Sequence, residues 1–324
     1  DMNIKKTHVY IGIITIALLV LLVFYIKPFK KQEIEEKPQA IIQEWSVDKN
    51  GYLSYPLERK NIRFSRSDYG ADGNLTIHKI IYPSRNGNVY GLLVLPDSAE
   101  ELLPGIILLP GAGVSKESEI ELAKKIALLD AAVLVIDQRG TGETTGKLNS
   151  LEQDYADFLN DIEPSQHLMV YDVLRAYDLL KSAPFIDHGR ITIVGESLGG
   201  RIGIIAAAID RNIEGVLAIS ASGFDFDQTN NTKTDTFLKS IDANHYAELI
   251  TPRKLVVMHN AQDKIIPLDA ALKIFSLAEE PKQIILVNDT SCNHGYCDSM
   301  YSGLVEALDY LVDIRSKTLV EIPS

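Results

Sequence analysis

Short apolar segments alternate with amphipathic segments over most of this 324-residue chain. The apolar segments are Gly105–Leu109, Ala132–Ile136, Ile191–Val194, Val216–Ile219, Leu255–Met258 and Ile284–Val287. Such runs, which lack alternating polar residues, are typical of strands that are covered on both faces. Between two of them, Val170, Val173 and Tyr177 have helical spacing. Because strands that alternate with helices are joined by crossovers, the pattern predicts an α/β fold with a mostly parallel central sheet and helices on both faces.

Three earlier strands are predicted before this alternating region. They are Asn61–Ser65, Thr76–Tyr82 and Val89–Leu95, and Gly, Asn and Pro residues separate them. Turn residues between neighbouring strands favour an antiparallel meander. At the other end of the chain, Met300, Leu304 and Leu308 have the spacing of a final helix. We therefore predict one α/β domain over residues 61–318.

The N-terminal segment is of a different kind. Val9–Ile26 carries no charged residue, and eighteen helical residues span about 27 Å, close to the thickness of the hydrocarbon core of a bilayer. This predicts a single-pass transmembrane anchor within residues 1–31, followed by a charged tether and lead-in over residues 32–60. A cleavable signal peptide is the alternative, although Lys27, Pro28 and Phe29 stand where small residues would mark a cleavage site.

Charge is distributed unevenly along the chain. Residues 1–31 contain five lysines and one acidic residue, whereas the rest carries 27 basic and 43 acidic residues. A nucleic-acid partner needs a basic surface, so this balance argues against one. With a short N-terminus and a large acidic body, we expect the body to lie outside the cytoplasm. The opposite topology stays open, because lysines flank both ends of the apolar segment.

A glycine-flanked serine follows the apolar segment that ends at Val194. Residues 195–200 have the sequence Gly-Glu-Ser-Leu-Gly-Gly and lead into an Ile- and Ala-rich helix. A sharp strand-to-helix turn would expose the Ser197 hydroxyl, and glycines two residues to either side would relieve the crowding of the backbone. The amide groups at the N-terminus of the helix would then point towards developing negative charge. We predict that Ser197 is a nucleophile.

A serine hydroxyl needs a base, usually a histidine that a carboxylate orients. Of the seven histidines, only His294 lies in a loop after the last apolar strand, and Asp263 lies in the loop after the strand before it. The chain order serine, aspartate, histidine is one known arrangement of such a triad. We therefore predict His294 as the base and Asp263 as the carboxylate that orients it. Other acidic residues in neighbouring loops are alternatives for the carboxylate. They are Asp225, Asp227 and Asp289.

Acyl transfer also needs donors for an oxyanion. The backbone N–H of Leu198, directly after the serine, is one predicted donor. The second is the N–H of Ala112, in the glycine-rich turn Pro110–Gly113 after the first buried strand. A phosphate-binding loop is excluded at this turn, because the glycine–lysine–serine ending is missing.

Taken together, these motifs resemble the α/β-hydrolase superfamily, in particular its dienelactone hydrolase, acetyl xylan esterase and prolyl oligopeptidase-like branches. Asp137–Gly142 is similar to the D-x-R-G-x-G turn of those branches, and Asp263–Pro267 is similar to their acid loop. The resemblance extends over roughly residues 76–316. The chain departs from the family pattern at Pro110, where histidine is frequent, and at Asn260, where glycine is common.

This resemblance implies a serine hydrolase that cleaves a carboxylic ester through an acyl-enzyme, on a small-molecule ester or peptide-like substrate, without metal or organic cofactor. Three alternatives stay open: a serine peptidase or amidase, an acyl-transfer or haloperoxidase-like activity, and a non-catalytic, membrane-tethered binding protein. Residues 143–165 and 221–250 are predicted insertions, the second being either a small lid or a surface loop. Cys292 and Cys297 flank His294, and in an extracellular domain we hypothesise a disulfide there, with free thiols as the alternative.

Overall fold

The computed structural model describes residues 45–56, 58–59, 61–97 and 101–314. The predicted membrane anchor, residues 9–26, lies outside these ranges, as do most residues of the predicted tether. Among the residues that are described, no helix is both long and apolar enough to cross a bilayer.

A nine-stranded sheet forms the centre of the fold. Its strands are β3 (Ser65–Asp72), β4 (Leu75–Ser84), β5 (Gly87–Pro96), β6 (Leu103–Leu109), β7 (Ala132–Ile136), β8 (Ile186–Glu196), β9 (Gly215–Ile219), β10 (Lys254–Asn260) and β11 (Lys282–Val287). They lie in the order β11-β10-β9-β8-β6-β7-β5-β4-β3. Neighbours from β11 to β7 pair parallel, and those from β7 to β3 pair antiparallel. The predicted mostly parallel sheet with an antiparallel opening meander is confirmed.

Helices cover both faces of this sheet, as the sequence predicts. They are α1 (Ile120–Ala127), α2 (Leu151–Leu159), α3 (Ser165–Ser182), α4 (Leu198–Ile209), α5 (Thr232–Ser240), α6 (Ala243–Tyr246), α7 (Leu268–Leu277) and α8 (Tyr301–Val312). Successive residues of β6 enter different cores: Ile107 joins the core under α3 and α4, and Ile106 joins the core under α1 and α8. A strand that is buried on both sides has no polar face, which explains its uninterrupted apolar sequence.

The first sheet strand is displaced from its predicted position. The prediction of a strand at Asn61–Ser65 is wrong, because β3 begins at Ser65 and continues through exposed polar residues to Asp72. This strand lies at the edge of the sheet, where backbone pairing with β4 holds it and neither face is covered. An edge strand of this kind needs no apolar side chains, so hydrophobic periodicity does not reveal it.

Residues before position 61 also belong to the fold. A short hairpin, β1 (Ser46–Val47) and β2 (Leu53–Ser54), places Trp45, Leu53 and Tyr55 in the core. The hydroxyl of Tyr55 donates to the main-chain oxygen of His167 (2.7 Å). The predicted lead-in over residues 32–60 therefore contains, from Trp45 onward, side chains that pack with the α/β core.

Both predicted insertions contain helices, and they pack against each other. The insertion at 143–165 carries α2, and that at 221–250 carries α5 and α6. The ring of Phe237 in α5 is fully buried and lies 5.4 Å from the rings of Tyr155 and Phe158 in α2. The two insertions therefore form one packed layer beside the carboxyl ends of the strands, where α/β sheets bind their ligands.

Candidate active site

Ser197 stands at the turn between β8 and α4 with a backbone conformation that few non-glycine residues adopt. Its φ is 52° and its ψ is −113°. Such strain persists only where the surroundings enforce it, and it is common at reactive residues. A Cβ atom on Gly195 would overlap the carbonyl oxygen of Gly199, and one on Gly199 would overlap that of Leu109. The glycines that flank the serine therefore have the steric cause that the sequence predicts.

Asp263 and His294 meet at the ends of β10 and β11. Nδ1 of His294 lies 2.9 Å from Oδ2 of Asp263 and 3.1 Å from Oδ1. The Asp263 side chain is fully buried, whereas 22% of the His294 side chain is exposed. The backbone N–H groups of Ile265 and Ile266 donate to Oδ1 of Asp263 (2.8 and 2.9 Å). The carboxylate is therefore held in one orientation towards the imidazole.

The charge of Asp263 is stabilised in place. Burial by itself raises the pKa of this carboxyl, but the N–H groups of Ile266 and Ile265 and the His294 ring outweigh it and leave the pKa below its ordinary value. Two of the three rival carboxylates have other partners: Asp225 pairs with Lys273, and Asp289 accepts from the N–H of Ser291 (2.8 Å). The third, Asp227, is exposed. Of the acidic residues considered from sequence, Asp263 is the one in contact with His294.

The residue before the serine connects Ser197 to the loop that carries His294. Oε2 of Glu196 accepts a hydrogen bond from the backbone N–H of Tyr296 (3.1 Å). Ser220, at the end of β9, donates from its hydroxyl to the carbonyl oxygen of Gly295 (3.4 Å). Within the described part of the chain, no hydrogen bond joins the hydroxyl of Ser197 to His294. In unliganded enzymes the bond between nucleophile and base is often long, so this arrangement is compatible with a triad.

Two backbone amides lie beside Ser197 and are available as donors. Leu198 begins α4, and Ala112 lies in the exposed turn after β6. In the ranges that the structure describes, neither N–H donates to a protein acceptor. A Cβ atom on the neighbouring Gly111 would lie 3.6 Å from Cβ of Ser197, so the turn passes close to the serine. Nε2 of Gln138 donates to the carbonyl oxygen of Pro110 and holds the turn in this position.

Asn260 holds the histidine loop, a role that the sequence did not reveal. Its fully buried side chain donates from Nδ2 to the carbonyl oxygens of Asp289 and Cys292 (both 2.8 Å) and accepts from the N–H of Asp289 (3.0 Å). The hypothesised disulfide between Cys292 and Cys297 closes the same loop. The available signal was the polar residue at Asn260, where the α/β-hydrolase pattern commonly has glycine.

Glu119 and Glu196 form a buried carboxyl pair next to the serine. Burial, together with the charge of Glu196, raises the pKa of Glu119 to about 8. Burial also raises the pKa of Glu196, although the N–H of Tyr296 and the Glu119 carboxyl partly oppose this. Two adjacent buried carboxyl groups cannot both ionise at low cost, so they retain a proton at neutral pH. The pair lies at the contact between Glu196 and the N–H of Tyr296 in the histidine loop.

We expect the free energy of unfolding to fall as the pH rises from about 4.5 to about 8, because of the proton that this pair retains in the folded state. The folded state keeps a proton that the unfolded chain releases, so raising the pH favours unfolding. The loss is on the order of 2–4 kcal/mol. Glu119→Gln supplies a permanent donor to Glu196 and should flatten this dependence.

Urea unfolding at several pH values checks this expectation. Glu121→Gln, at an exposed position of α1, serves as the control and should keep the wild-type slope. Equal pH slopes for Glu119→Gln and wild type would show that the pair does not retain a proton.

The order of the strands and the helices on both faces are those of an α/β hydrolase. The chain belongs to the acetyl xylan esterase (AXE1) family, whose model matches residues 53–288. This confirms the resemblance found in the motifs. The matched segment includes Ser197 and Asp263 and ends before His294.

Individual relatives are distant. The chain is 25% identical to the uncharacterized protein YfhR of Escherichia coli (strain K12) over 201 residues, which cover 55% of this chain and 61% of the length of YfhR. Among solved structures, it is similar to an acetyl xylan esterase from Paenibacillus sp. R4, with a TM-score of 0.65 and 18% identity over 78% of this chain and 90% of that one. An acetyl xylan esterase from Thermoanaerobacterium sp. JW/SL YS485 has a TM-score of 0.61 at 14% identity, over 77% of this chain and 88% of that one. These structural similarities establish the fold.

Proposed function

We propose that this protein hydrolyses small carboxylic esters with Ser197 as nucleophile, His294 as base and Asp263 as the carboxylate that orients the base. The observation that carries the proposal is the strained serine of the β8–α4 turn together with a histidine–aspartate pair, whose loop is bound by Glu196, the residue before the serine. The acetyl xylan esterases among the relatives point to short acyl groups, acetyl esters above all.

The proposed reaction has an acylation step and a deacylation step. The hydroxyl oxygen of Ser197 attacks the ester carbonyl carbon while Nε2 of His294 takes the hydroxyl proton. The N–H groups of Leu198 and Ala112 stabilise the negative charge that develops on the carbonyl oxygen. His294 then returns the proton to the leaving alcohol as the C–O bond breaks. Water, activated by the same histidine, cleaves the acyl-enzyme and releases the acid.

The direct test uses the full chain, a fluorophosphonate probe and a pair of small substrates. We expect hydrolysis of 4-nitrophenyl acetate, covalent labelling by the probe, and a label that maps to the peptide containing Ser197. The matched amide, 4-nitroacetanilide, separates an esterase from an amidase. A folded protein that neither hydrolyses the ester nor reacts with the probe would refute the proposal and favour the non-catalytic alternative.

We also propose that residues 9–26 anchor the hydrolase in a membrane, with the catalytic domain outside the cytoplasm. The uncharged length of this segment supports the anchor. The disulfide between Cys292 and Cys297 supports an oxidising compartment, where such bonds persist. We expect the full chain to stay with membranes through an alkaline carbonate wash, and a chain without residues 1–31 to be released. Release of the full chain by the wash would contradict the anchor.

A further inference from the structure

Arg201 is a mostly buried cation one helical turn after the serine. Its backbone N–H donates to the carbonyl oxygen of Ser197 (3.2 Å). This bond places Arg201 in the first turn of α4, directly after the strained residue Ser197. Nη2 donates to Oε1 of Gln166 (3.1 Å), and the guanidinium carbon lies 3.9 Å from the ring centre of Phe224.

The charge of Arg201 has no carboxylate partner among the described residues. Its Nε atom is buried and has no hydrogen-bond acceptor. Two other buried arginines are paired with carboxylates: Arg139 binds Asp172 through two nitrogens, and Arg59 binds both Asp178 and Asp210. Arg253 lacks a carboxylate partner within the part of the chain that the structure describes, but main-chain carbonyl oxygens accept from its guanidinium. An unpaired buried charge is costly, so its position beside the nucleophile calls for a reason other than stability.

The surroundings of Arg201 leave it charged at neutral pH. Burial lowers the pKa of the guanidinium to about 10, and the more distant carboxylate of Asp242 opposes this. The Asp242 carboxylate is itself engaged, because it accepts hydrogen bonds from the N–H groups of Phe224 (2.9 Å) and Asn244 (3.0 Å). A cation is therefore retained here without a dedicated counter-ion.

The segment that covers Arg201 also borders the proposed catalytic groups. It starts at Ser220, which binds the loop of His294 through Gly295. It then packs on the first turn of α4, where Cβ of Ala221 would lie 2.7 Å from a Cβ on Gly200. Phe224 follows and stacks on Phe226, with ring centres 4.7 Å apart. Arg201, Phe224 and the histidine loop therefore lie around the same side of Ser197.

We propose that Arg201 recognises a carboxylate on the substrate, so that the preferred substrate is an ester carrying a negatively charged carboxylate a few bonds from the scissile carbonyl. This inference rests on the ester hydrolysis proposed above and names its substrate class. A guanidinium with unused N–H donors matches the geometry of a carboxylate, and the low dielectric of a mostly buried position strengthens the pairing. Phe224 covers the guanidinium and restricts its rotation.

The test uses the full chain and compares its activity on two esters that share the same acyl chain. One is the 4-nitrophenyl monoester of adipic acid, and the other is its methyl ester, which lacks the charge. We expect wild type to have the higher kcat/KM on the acid. In Arg201→Met the ratio of the two kcat/KM values should fall by about tenfold or more, because hydrogen bonds to a charged group are strong. Arg201→Lys should keep part of the ratio.

Arg211→Met is the matched control. Arg211 is an exposed arginine just beyond the other end of α4, so this variant changes the net charge equally and should keep the wild-type ratio. An unchanged ratio in folded Arg201→Met would overturn the inference and leave Arg201 as a packing partner of Phe224.

The wild-type protein provides a reading that does not depend on the folding of any variant. If the kcat/KM of wild type on the acid were equal to or lower than that on its methyl ester, the inference would also be overturned. Hydrolysis of the neutral ester would still support the proposed function. Failure to hydrolyse either ester, together with no fluorophosphonate label, is the separate result that refutes the proposed function itself.

Discussion

Replacing Ser197 by alanine should lower kcat on 4-nitrophenyl acetate by a factor on the order of 10⁵–10⁶. The reason is that the hydroxyl oxygen is the atom that forms the acyl-enzyme, and no neighbouring side chain stands in the same turn to replace it. The donors at Leu198 and Ala112 remain, so a small residual rate over water is expected. An alanine at position 197 would have to adopt the same strained φ as the serine, so the thermal unfolding temperature should change little.

Ser220→Ala is the matched control for this prediction. Ser220 ends the neighbouring strand β9, is buried, and has a similarly positive φ of 48°. Its hydroxyl binds the histidine loop and helps to lower the pKa of Asp263, but it forms no bond in the reaction, so we expect kcat to fall by about tenfold or less. If Ser197→Ala kept more than about 1% of the wild-type kcat, the nucleophile would have to be another residue.

Replacing Asp263 by asparagine should lower kcat by about 10⁴-fold while leaving the fold intact. Oδ1 of Asp263 accepts from the N–H groups of Ile265 and Ile266, so the amide oxygen of asparagine has to take that position. The amide NH₂ group then faces Nδ1 of His294, where Oδ2 now accepts at 2.9 Å. An NH₂ group there forces the histidine tautomer that carries its proton on Nε2, which cannot take the proton of Ser197.

Steady-state kinetics across pH measure this effect, and an unchanged thermal unfolding temperature of the variant excludes simple misfolding. Since the pKa of Asp263 lies below its ordinary value, wild type keeps the carboxylate charged throughout the neutral range, and Asp263→Asn should be slow at every pH in that range. Asp289→Asn is the control, because Asp289 binds its own turn through Ser291 and does not contact His294. A larger loss in Asp289→Asn than in Asp263→Asn would move the carboxylate role to Asp289.

Much of the sheet could be predicted because both of its faces are buried. A strand such as β6 sends Ile106 and Ile107 into different cores, so every position is apolar and the run is visible without any knowledge of its neighbours. The edge strand β3 and the hairpin around Trp45 could not be found in this way. The first is held by backbone pairing and by polar contacts such as that between Arg66 and His78, and the second is too short for any periodicity.

The features of the site likewise divide into those that depend on neighbouring residues in the sequence and those that depend on residues distant in sequence. The turn at Ser197 is a local property, because Gly195 and Gly199 lie within two residues of the serine and their lack of side chains is what permits the conformation. The partners of Glu196, Asn260 and Arg201 are distant in sequence, and nothing in the spacing indicates that Glu196 binds the N–H of Tyr296 or that Asn260 holds Cys292.

The sequence by itself determined the fold class, the glycine-flanked serine turn and the order of serine, aspartate and histidine along the chain, because each depends on residue type and short-range spacing. The sequence also favoured Asp263 as the carboxylate, and the tertiary structure brings Asp263 rather than Asp225 or Asp289 into contact with His294. The tertiary structure also decided that Arg201 stands without a carboxylate while two other buried arginines are paired with carboxylates. Several acidic residues occupy loops at the same sheet edge, and only the packing of those loops brings one carboxylate to the imidazole and keeps the others from the guanidinium.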